Sequence, residues 1–245
     1  MYRAERAIIM AAGIGSRLQP VTLDTPKPLV RVNGIRMIDT IINALHDNGI
    51  TEIYVVVGYL KEAFKSLENE YNGLALIENP YYAECNNISS LYVARECINN
   101  AIILDGDQII YNADILRPEF ERSGYNAVWV DGYTDEWLLS VKNEIITSCS
   151  RTGGTNGWQL YSVSFWNDVD GKRLKHYLEV EFENKSNRQI YWDDIAMFCY
   201  PRDFQLGIRA MQSSDIIEID SMQELVKIDS SYSQYVVGVI DENEG

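Results

Sequence analysis

The chain predicts an α/β fold in which a largely parallel sheet is covered by helices. Three observations carry that reading. Short apolar runs at residues 7–10, 53–57, 74–77 and 101–104 read as buried strands. Residues 37–45, 60–67 and 88–97, which separate them, carry apolar side chains at helical spacing. After about residue 122 the texture changes to strand-like pieces rich in aromatics, so the parallel part belongs to the first half.

In chain order, Ala7-Ile8-Ile9-Met10 opens the sheet and runs directly into a small-residue turn. Met37, Ile38, Ile41, Ile42 and Leu45 make one apolar helix face, and Asn48-Gly49 is a stop signal behind it. In the second half, residues 127–129, 136–141, 144–148 and 158–165 are strand candidates, and charged helical stretches follow at 170–183 and 193–198. A last strand at 216–219 leads into a helix over 221–228, where Ser221 and Glu224 have the spacing of a capping box. No internal repeat or low-complexity linker divides the chain, so residues 1–245 are expected to be one domain. The acidic run at 241–245 is the one segment whose composition suggests disorder.

Composition narrows the function. An apolar fraction of 46% over 245 residues is enough for a substantial core, while a formal net charge of −15 opposes binding to nucleic acid or anionic membrane. No apolar run is long enough to span a bilayer and the first residues do not resemble a signal peptide, so a cytoplasmic protein is expected. Cys85, Cys97, Cys149 and Cys199 form no Cys-x-x-Cys pair and are expected to be reduced core thiols. His46 and His176 lie in no nucleophile-elbow or metal-ligand pattern, which removes the usual hydrolase machinery.

The segment Ala11-Ala12-Gly13-Ile14-Gly15-Ser16-Arg17 carries the strongest chemical signal. Small residues after a buried strand let backbone N–H groups approach a polyphosphate, and Arg17 and Lys27 add mobile positive charge. It is not a P-loop, because no Gly-Lys-Ser/Thr closes it. Nor is it the dinucleotide fingerprint, because Arg17 and Leu18 stand where the third glycine belongs. An ordinary strand-to-helix turn would explain the glycines alone; Arg17 and Lys27 favour phosphate. Asp105-Gly106-Asp107 ends another apolar strand and Asp220 ends a third, so these carboxylates can meet above one crevice. Carboxylates so crowded need hydrogen bonds or a cation, and a polyanionic ligand on a chain this acidic makes a divalent ion such as magnesium expected.

The run from Ile8 to Pro20 together with Thr25-Pro26-Lys27-Pro28-Leu29 resembles the signature of the nucleotidyltransferases that make activated sugars and alcohols. Within that superfamily, Tyr82-Ala83-Glu84-Cys85-Asn86-Asn87-Ile88-Ser89-Ser90-Leu91, Glu136-Trp137, Ser162-Val163-Ser164-Phe165-Trp166, Ile190-Tyr191-Trp192-Asp193-Asp194 and Glu218-Ile219-Asp220-Ser221 are similar to the bacterial CTP:phosphocholine cytidylyltransferases of the LicC type. The resemblance covers nearly the whole chain and implies a Rossmann-like nucleotidyltransferase fold with a mixed, mostly parallel central sheet flanked by helices. Residues 1–122 would then form the nucleotide-binding half, and 123–230 the half that binds the acceptor and completes the metal site.

The resemblance further implies that CTP and phosphocholine are the substrates, giving CDP-choline and pyrophosphate. Ala11, Ala12, Gly13, Gly15, Ser16 and Arg17 would wrap the nucleotide together with Asn87, Ser89, Ser90 and Asp105. Arg17, Lys27, Asp107 and Asp220 would be catalytic, with Asp107 and Asp220 holding Mg2+. Gln108 departs from the Asn expected after Asp107 in many relatives. A phosphomonoester oxygen is largely anionic at neutral pH, so the absence of a histidine base agrees with this chemistry.

A trimethylammonium group offers no N–H donor and is held by shape, carboxylate charge and aromatic faces. The resemblance implies Lys27, Trp137, Tyr191, Trp192 and Asp194 as the phosphocholine contacts, with Asp135, Glu136 and Asp193 as further acidic neighbours. Because Tyr191 and Trp192 are adjacent, only one of them would face the ligand from an extended segment. Trp129 and Trp166 are expected in the core, and Trp158 is consistent with either place. The alternatives are 2-aminoethylphosphonate or phosphoethanolamine, whose primary ammonium needs hydrogen-bond acceptors, and a sugar 1-phosphate. Outside the class stands a non-catalytic nucleotide-binding regulator, against which Arg17, Lys27, Asp107 and Asp220 are all present.

Overall fold

A computed structural model of the chain describes residues 1–236, and the acidic run at 241–245 lies outside them. The four apolar runs of the first half are strands β1 (Arg6–Ala11), β2 (Glu52–Val57), β3 (Leu74–Glu78) and β4 (Ala101–Asp105). β1 pairs in parallel with β2 on one side and β4 on the other, and β3 lies outside β2. The chain thus builds outward from β1 and then returns to lay β4 on its far side. Strand order reverses between β1 and β4, and a crevice opens at their carboxyl ends.

Period-two alternation explains why these strands are apolar throughout. In β1, Ala7, Ile9 and Ala11 join one core cluster while Ile8 and Met10 join the other, so both faces are covered. The first cluster packs under helix α1 (Met37–Asp47) through Ile38, Ile41, Ile42 and Leu45. The second packs under α2 (Ile88–Val93) and α3 (Asp168–Glu179) through Ile88, Leu91, Leu174 and Leu178. α1 ends as its sequence predicts. Gly49 has φ +75°, its N–H reaches the His46 carbonyl at 2.8 Å, and the Ile50 N–H reaches that of Leu45 at 2.9 Å.

Two predicted helices are shorter than their spacing suggests. Residues 60–67 form a 3-10 turn, Lys61–Phe64, and a one-turn helix, Leu67–Glu70, because Leu60 at φ +48° blocks extension backwards and only Phe64 and Leu67 anchor the segment. Residues 88–97 leave the helical region at Ala94 and finish as a 3-10 turn, Arg95–Cys97.

The second half adds β5 (Gln108–Ile110), β6 (Gly124–Thr134), β7 (Leu138–Lys142), β8 (Ile145–Ser150), β9 (Gly154–Trp166), β10 (Gly207–Ala210) and β11 (Ile216–Glu218). β9 lies antiparallel against β4, extending the sheet to nine strands in the order β3-β2-β1-β4-β9-β7-β8-β10-β6, and β6 also pairs with β9. The sheet is mixed. Parallel pairing runs through β1 to β4 and recurs between β6 and β10, and the remaining pairs are antiparallel. β5 and β11 form a separate antiparallel ribbon with Gln108 opposite Glu218. The ribbon leads into α4 (Met222–Ile228), capped by Ser221 in the expected capping box. Of the two charged helical stretches, the first is α3 continued by a π turn, Val180–Asn184, and the second is a π turn, Ile195–Cys199.

Two core expectations need correction. Trp166 is fully buried, but Trp129 is 47% exposed and its indole N–H donates to Asp131, because the outer end of β6 runs beyond the covering helices. Trp158, half-buried, meets it edge-on at 5.5 Å. The cysteines are free, yet they are not core residues: Cys85, Cys97 and Cys149 are half-buried and Cys199 is exposed. Cys85 and Cys97 pack against the second core cluster from its edge and are not enclosed by it.

Candidate active site

The crevice between the carboxyl ends of β1 and β4 is a cleft of about 540 Å³. Its floor is the turn after β1, where Ala11, Ala12, Gly13, Gly15, Ser16 and Arg17 all line the cavity. Gly15 has φ +67°, and a Cβ there would come within 3.0 Å of Lys27 Cβ and 3.2 Å of Thr22 Cγ2. The glycine is therefore required twice, by its left-handed backbone and by the close approach of the Lys27 segment. Gly106, between the two aspartates, is similarly tight: its N–H bonds to the Met10 carbonyl at 2.9 Å, and a Cβ would lie 3.1 Å from that oxygen.

Asp107 follows β4 and precedes β5, while Asp220 follows β11, so the β5–β11 ribbon brings together two residues far apart in sequence. Lys27 lies in the 3-10 turn Lys27–Leu29 with its side chain only 9% exposed. Its Nζ is 2.6 Å from Asp107 Oδ2 and 2.9 Å from Asp220 Oδ1, and Arg17 Nη2 is 2.7 Å from the same Asp220 oxygen. Burial by itself would lower the Lys27 pKa, but the charges of Asp107 and Asp220 outweigh it and hold the ammonium above its ordinary value. Arg17, largely exposed, is the mobile member of the pair.

Negative charge exceeds what these cations neutralise. Asp105, Asp107, Glu136, Asp193, Glu218 and Asp220 all line the cleft, against Arg17 and Lys27. Burial, then the charges of Asp107 and its neighbours, raise Asp105 and Glu218 well above the usual carboxylate range. One oxygen from each of Asp107, Glu218 and Asp220 lies within 4.8 Å of the others, and Asp107 Oδ1 is buried with no hydrogen-bond partner among the described residues. Three hard oxygen donors, one of them unsatisfied, are a set that suits a divalent cation.

Trp137 and Tyr191, which also line the cleft, meet edge-on with ring centroids 5.6 Å apart, and Asn86, Asn87 and Ser90 line it as well, Asn87 tied to the Tyr191 segment by the Trp192 N–H at 3.0 Å. A phosphate-binding turn, a carboxylate cluster and an aromatic pair thus share one cavity.

The nucleotidyl transferase family matches residues 6–119. A 2-aminoethylphosphonate cytidylyltransferase of Lancefieldella rimae is 37% identical over 92% of this chain and 92% of its own length. The chain belongs to the nucleotidyl transferase family. A choline-phosphate cytidylyltransferase of Streptococcus pneumoniae is 32% identical over 91% of this chain and 96% of its own. The solved structure of the CTP:phosphocholine cytidylyltransferase LicC from Streptococcus pneumoniae superposes with a TM-score of 0.86, at 32% identity, over 94% of this chain and 99% of that one. This nucleotidyltransferase therefore groups with cytidylyltransferases along nearly its whole length, and its fold is the one expected from the signature after β1.

Of the residues expected at the site of this nucleotidyltransferase, Asp135 is exposed outside the cavity and three others lie behind its walls. Trp192 is 1% exposed and stacks on Tyr125 in the core, so of the adjacent aromatics only Tyr191, 45% exposed, faces the cleft. Asp194 is buried beneath Tyr191 and pairs with Arg151 rather than lining the cavity. Ser89 is also buried: its hydroxyl donates to the Asn86 carbonyl and accepts from Asn79. Each lies one position from a residue that does line the cleft: a tight turn sets the alternation at 191–194, and the rotation of α2 sets it at Ser89 and Ser90. Glu218 and Ser162, absent from the expected set, line it as well. The signal for Glu218 was present, since in an extended segment it shares a face with Asp220. No helix among the described residues is long and apolar enough to cross a membrane.

Proposed function

We propose that this nucleotidyltransferase transfers the cytidylyl group of CTP to phosphocholine, forming CDP-choline and releasing pyrophosphate. The observation that carries the reading is the Trp137–Tyr191 pair, open to the same cleft as the glycine turn, with the carboxylates of Glu136 and Asp193 also lining that cleft. Aromatic faces and negative charge without a need for N–H donors are what a trimethylammonium group selects.

The triphosphate would lie along the backbone N–H groups of the turn from Ala12 to Arg17, with Arg17 and Lys27 on its charged oxygens. An anionic oxygen of the acceptor attacks the α-phosphorus; that P–O bond forms as the bond to the β-phosphate oxygen breaks, and pyrophosphate leaves with the electron pair. No proton has to be removed from the attacking oxygen, so no general base is required. Positioning in line and neutralisation of charge account for the acceleration. Asp107, Glu218 and Asp220 would hold magnesium, which when bound supplies positive charge to the phosphates. Lys27, bridging Asp107 and Asp220, keeps both carboxylates at the phosphate end of the cleft.

The relative from Lancefieldella rimae and the withdrawal of Trp192 into the core favour a second reading, transfer to 2-aminoethylphosphonate, whose primary ammonium would hydrogen-bond to Asp193 and Glu136. Pyrophosphate release from CTP and magnesium, measured with each acceptor alone and in competition, separates the two. A higher kcat/KM for phosphocholine is expected; a strong preference for the aminoethyl compound replaces the first reading by the second. Release with neither acceptor removes both.

A further inference from the structure

We infer that Asp194 and Arg151 form a clasp behind the acceptor end of the cleft that positions Trp137 against Tyr191 and so sets affinity for the ammonium end of the acceptor. The inference rests on the acceptor reading above, but its geometry stands apart from it. Trp137 sits in the connection between β6 and β7, outside any strand or helix, and a single backbone bond from the Leu160 N–H to its carbonyl, 2.8 Å, ties it to β9. That bond fixes the main chain and leaves the indole free to turn.

Three groups hold the ring. Tyr191 meets it edge-on at 5.6 Å and 84°, Phe198 meets it edge-on at 5.7 Å and 82°, and the Arg151 guanidinium lies 5.7 Å from its centroid. The same guanidinium is 4.0 Å from the Phe198 centroid, so Arg151 packs against both aromatics.

Arg151 belongs to the exposed turn between β8 and β9, and Asp194 is what anchors it. The Asp194 side chain is 2% exposed; its Oδ1 lies 2.5 Å from Arg151 Nη2, while its Oδ2 accepts the Tyr191 N–H at 3.0 Å. The Asp194 N–H in turn reaches the Tyr191 carbonyl at 3.1 Å, closing a tight turn from both ends. One buried carboxylate therefore fixes the backbone under Tyr191 and the cation behind Trp137. A lysine at 151 would supply charge but no planar surface for Phe198 and Trp137. Asp194 and Arg151 are positioning residues: neither lines the cavity, and both act through the two aromatics that do.

The test compares Arg151→Met, Arg151→Lys and the double variant Arg151→Met/Asp194→Asn. Arg151→Met is expected to raise the acceptor KM about tenfold while the KM for CTP stays within about twofold, since one stacking contact on Trp137 is lost and the triphosphate end is untouched. Arg151→Lys should fall between. In the double variant the amide at 194 still accepts the Tyr191 N–H and no buried charge remains, so thermal stability returns but the acceptor KM stays high. Recovery of the acceptor KM together with stability overturns the clasp, because it reduces Arg151 to a counter-ion. A second readout needs no turnover: in protein carrying 5-fluorotryptophan, the Trp137 resonance, assigned through Trp137→Phe, should move in Arg151→Met and in the double variant. If the unaltered protein uses neither phosphocholine nor 2-aminoethylphosphonate, the acceptor reading fails and this resonance alone decides. Displacement sustains the clasp and an unmoved line overturns it.

Discussion

The Glu224 carboxylate accepts the backbone N–H of Asp220 at 2.7 Å, so the cap of helix α4 also aims a carboxylate of the cleft. The same oxygen accepts the Ser221 N–H at 2.9 Å, completing the capping box. Removing it frees the backbone that carries Asp220 toward Lys27 and Arg17. Glu224→Ala is expected to lower kcat about tenfold through misaligned Asp220, and stability by about 1 kcal/mol through the lost cap. Glu224→Gln, which retains an acceptor oxygen, should recover most of both. Steady-state kinetics and thermal unfolding of the two variants check this, and equal loss in both would show that charge rather than the cap is what matters.

Lys27 is the one buried cation among the described residues that bridges Asp107 and Asp220. Lys27→Met is expected to reduce kcat by about 10²–10³ with a smaller change in the KM for CTP, since a preorganised cation on the reacting phosphates acts mostly in the transition state. Asp107→Ala should cost at least as much and should also abolish the magnesium dependence of what remains. Full turnover by Asp107→Ala would reject the proposed metal site.

Much of this arrangement was legible in the chain because it is local. The turn after β1, the Asp105-Gly106-Asp107 sequence and the capping box at Ser221 each follow from residues a few positions apart, and each forms where expected. The inward-facing member of a polar or aromatic pair was harder to read. Trp192 and Asp194 flank the cleft-lining Tyr191 and Asp193 but turn into the core, because residues 191–194 close a tight turn in which alternation is set by the Asp194 side chain. Arg151 was invisible for another reason. Its partners Asp194, Phe198 and Trp137 lie in other segments, joined to it only by the tertiary fold.

Gly15 gives a test of the turn itself. Alanine there must adopt φ +67° and bring a methyl group within 3.0 Å of Lys27 Cβ. Left-handed backbone costs a non-glycine residue about 1 kcal/mol, and the contact displaces either the turn or Lys27. Gly15→Ala is expected to raise the KM for CTP and lower kcat together, each by about tenfold, while the acceptor KM changes little. Gly13 lines the cleft and a Cβ there meets no protein atom within 4 Å, so Gly13→Ala should leave Lys27 in place and raise the KM for CTP with a smaller loss of kcat. An unchanged kcat in Gly15→Ala would show that the close approach to Lys27 is not what that glycine serves.

Asp193 is expected to couple acceptor binding to pH. Burial raises its carboxyl to about 7, reinforced by the charge of Asp194 and opposed by the Tyr125 hydroxyl, which donates to it at 2.9 Å. Cys149 and Asp105 lie close enough to sense its charge, and both stay neutral more readily for it. Only ionised Asp193 attracts an ammonium, so the acceptor KM is expected to fall as pH rises through about 7. Stability runs the other way: a carboxyl raised in the folded state favours folding fully below its unfolded pKa of about 3.9, and that contribution is lost as pH climbs through the folded value. The acceptor phosphate also titrates near pH 6, which by itself would give a pH-dependent KM. Tyr125→Phe separates the two, because it removes the donor that favours ionised Asp193 without touching the acceptor. The break in acceptor KM should move to higher pH in that variant, and a break that stays in place assigns the titration to the substrate and leaves Asp193 without a part in acceptor binding.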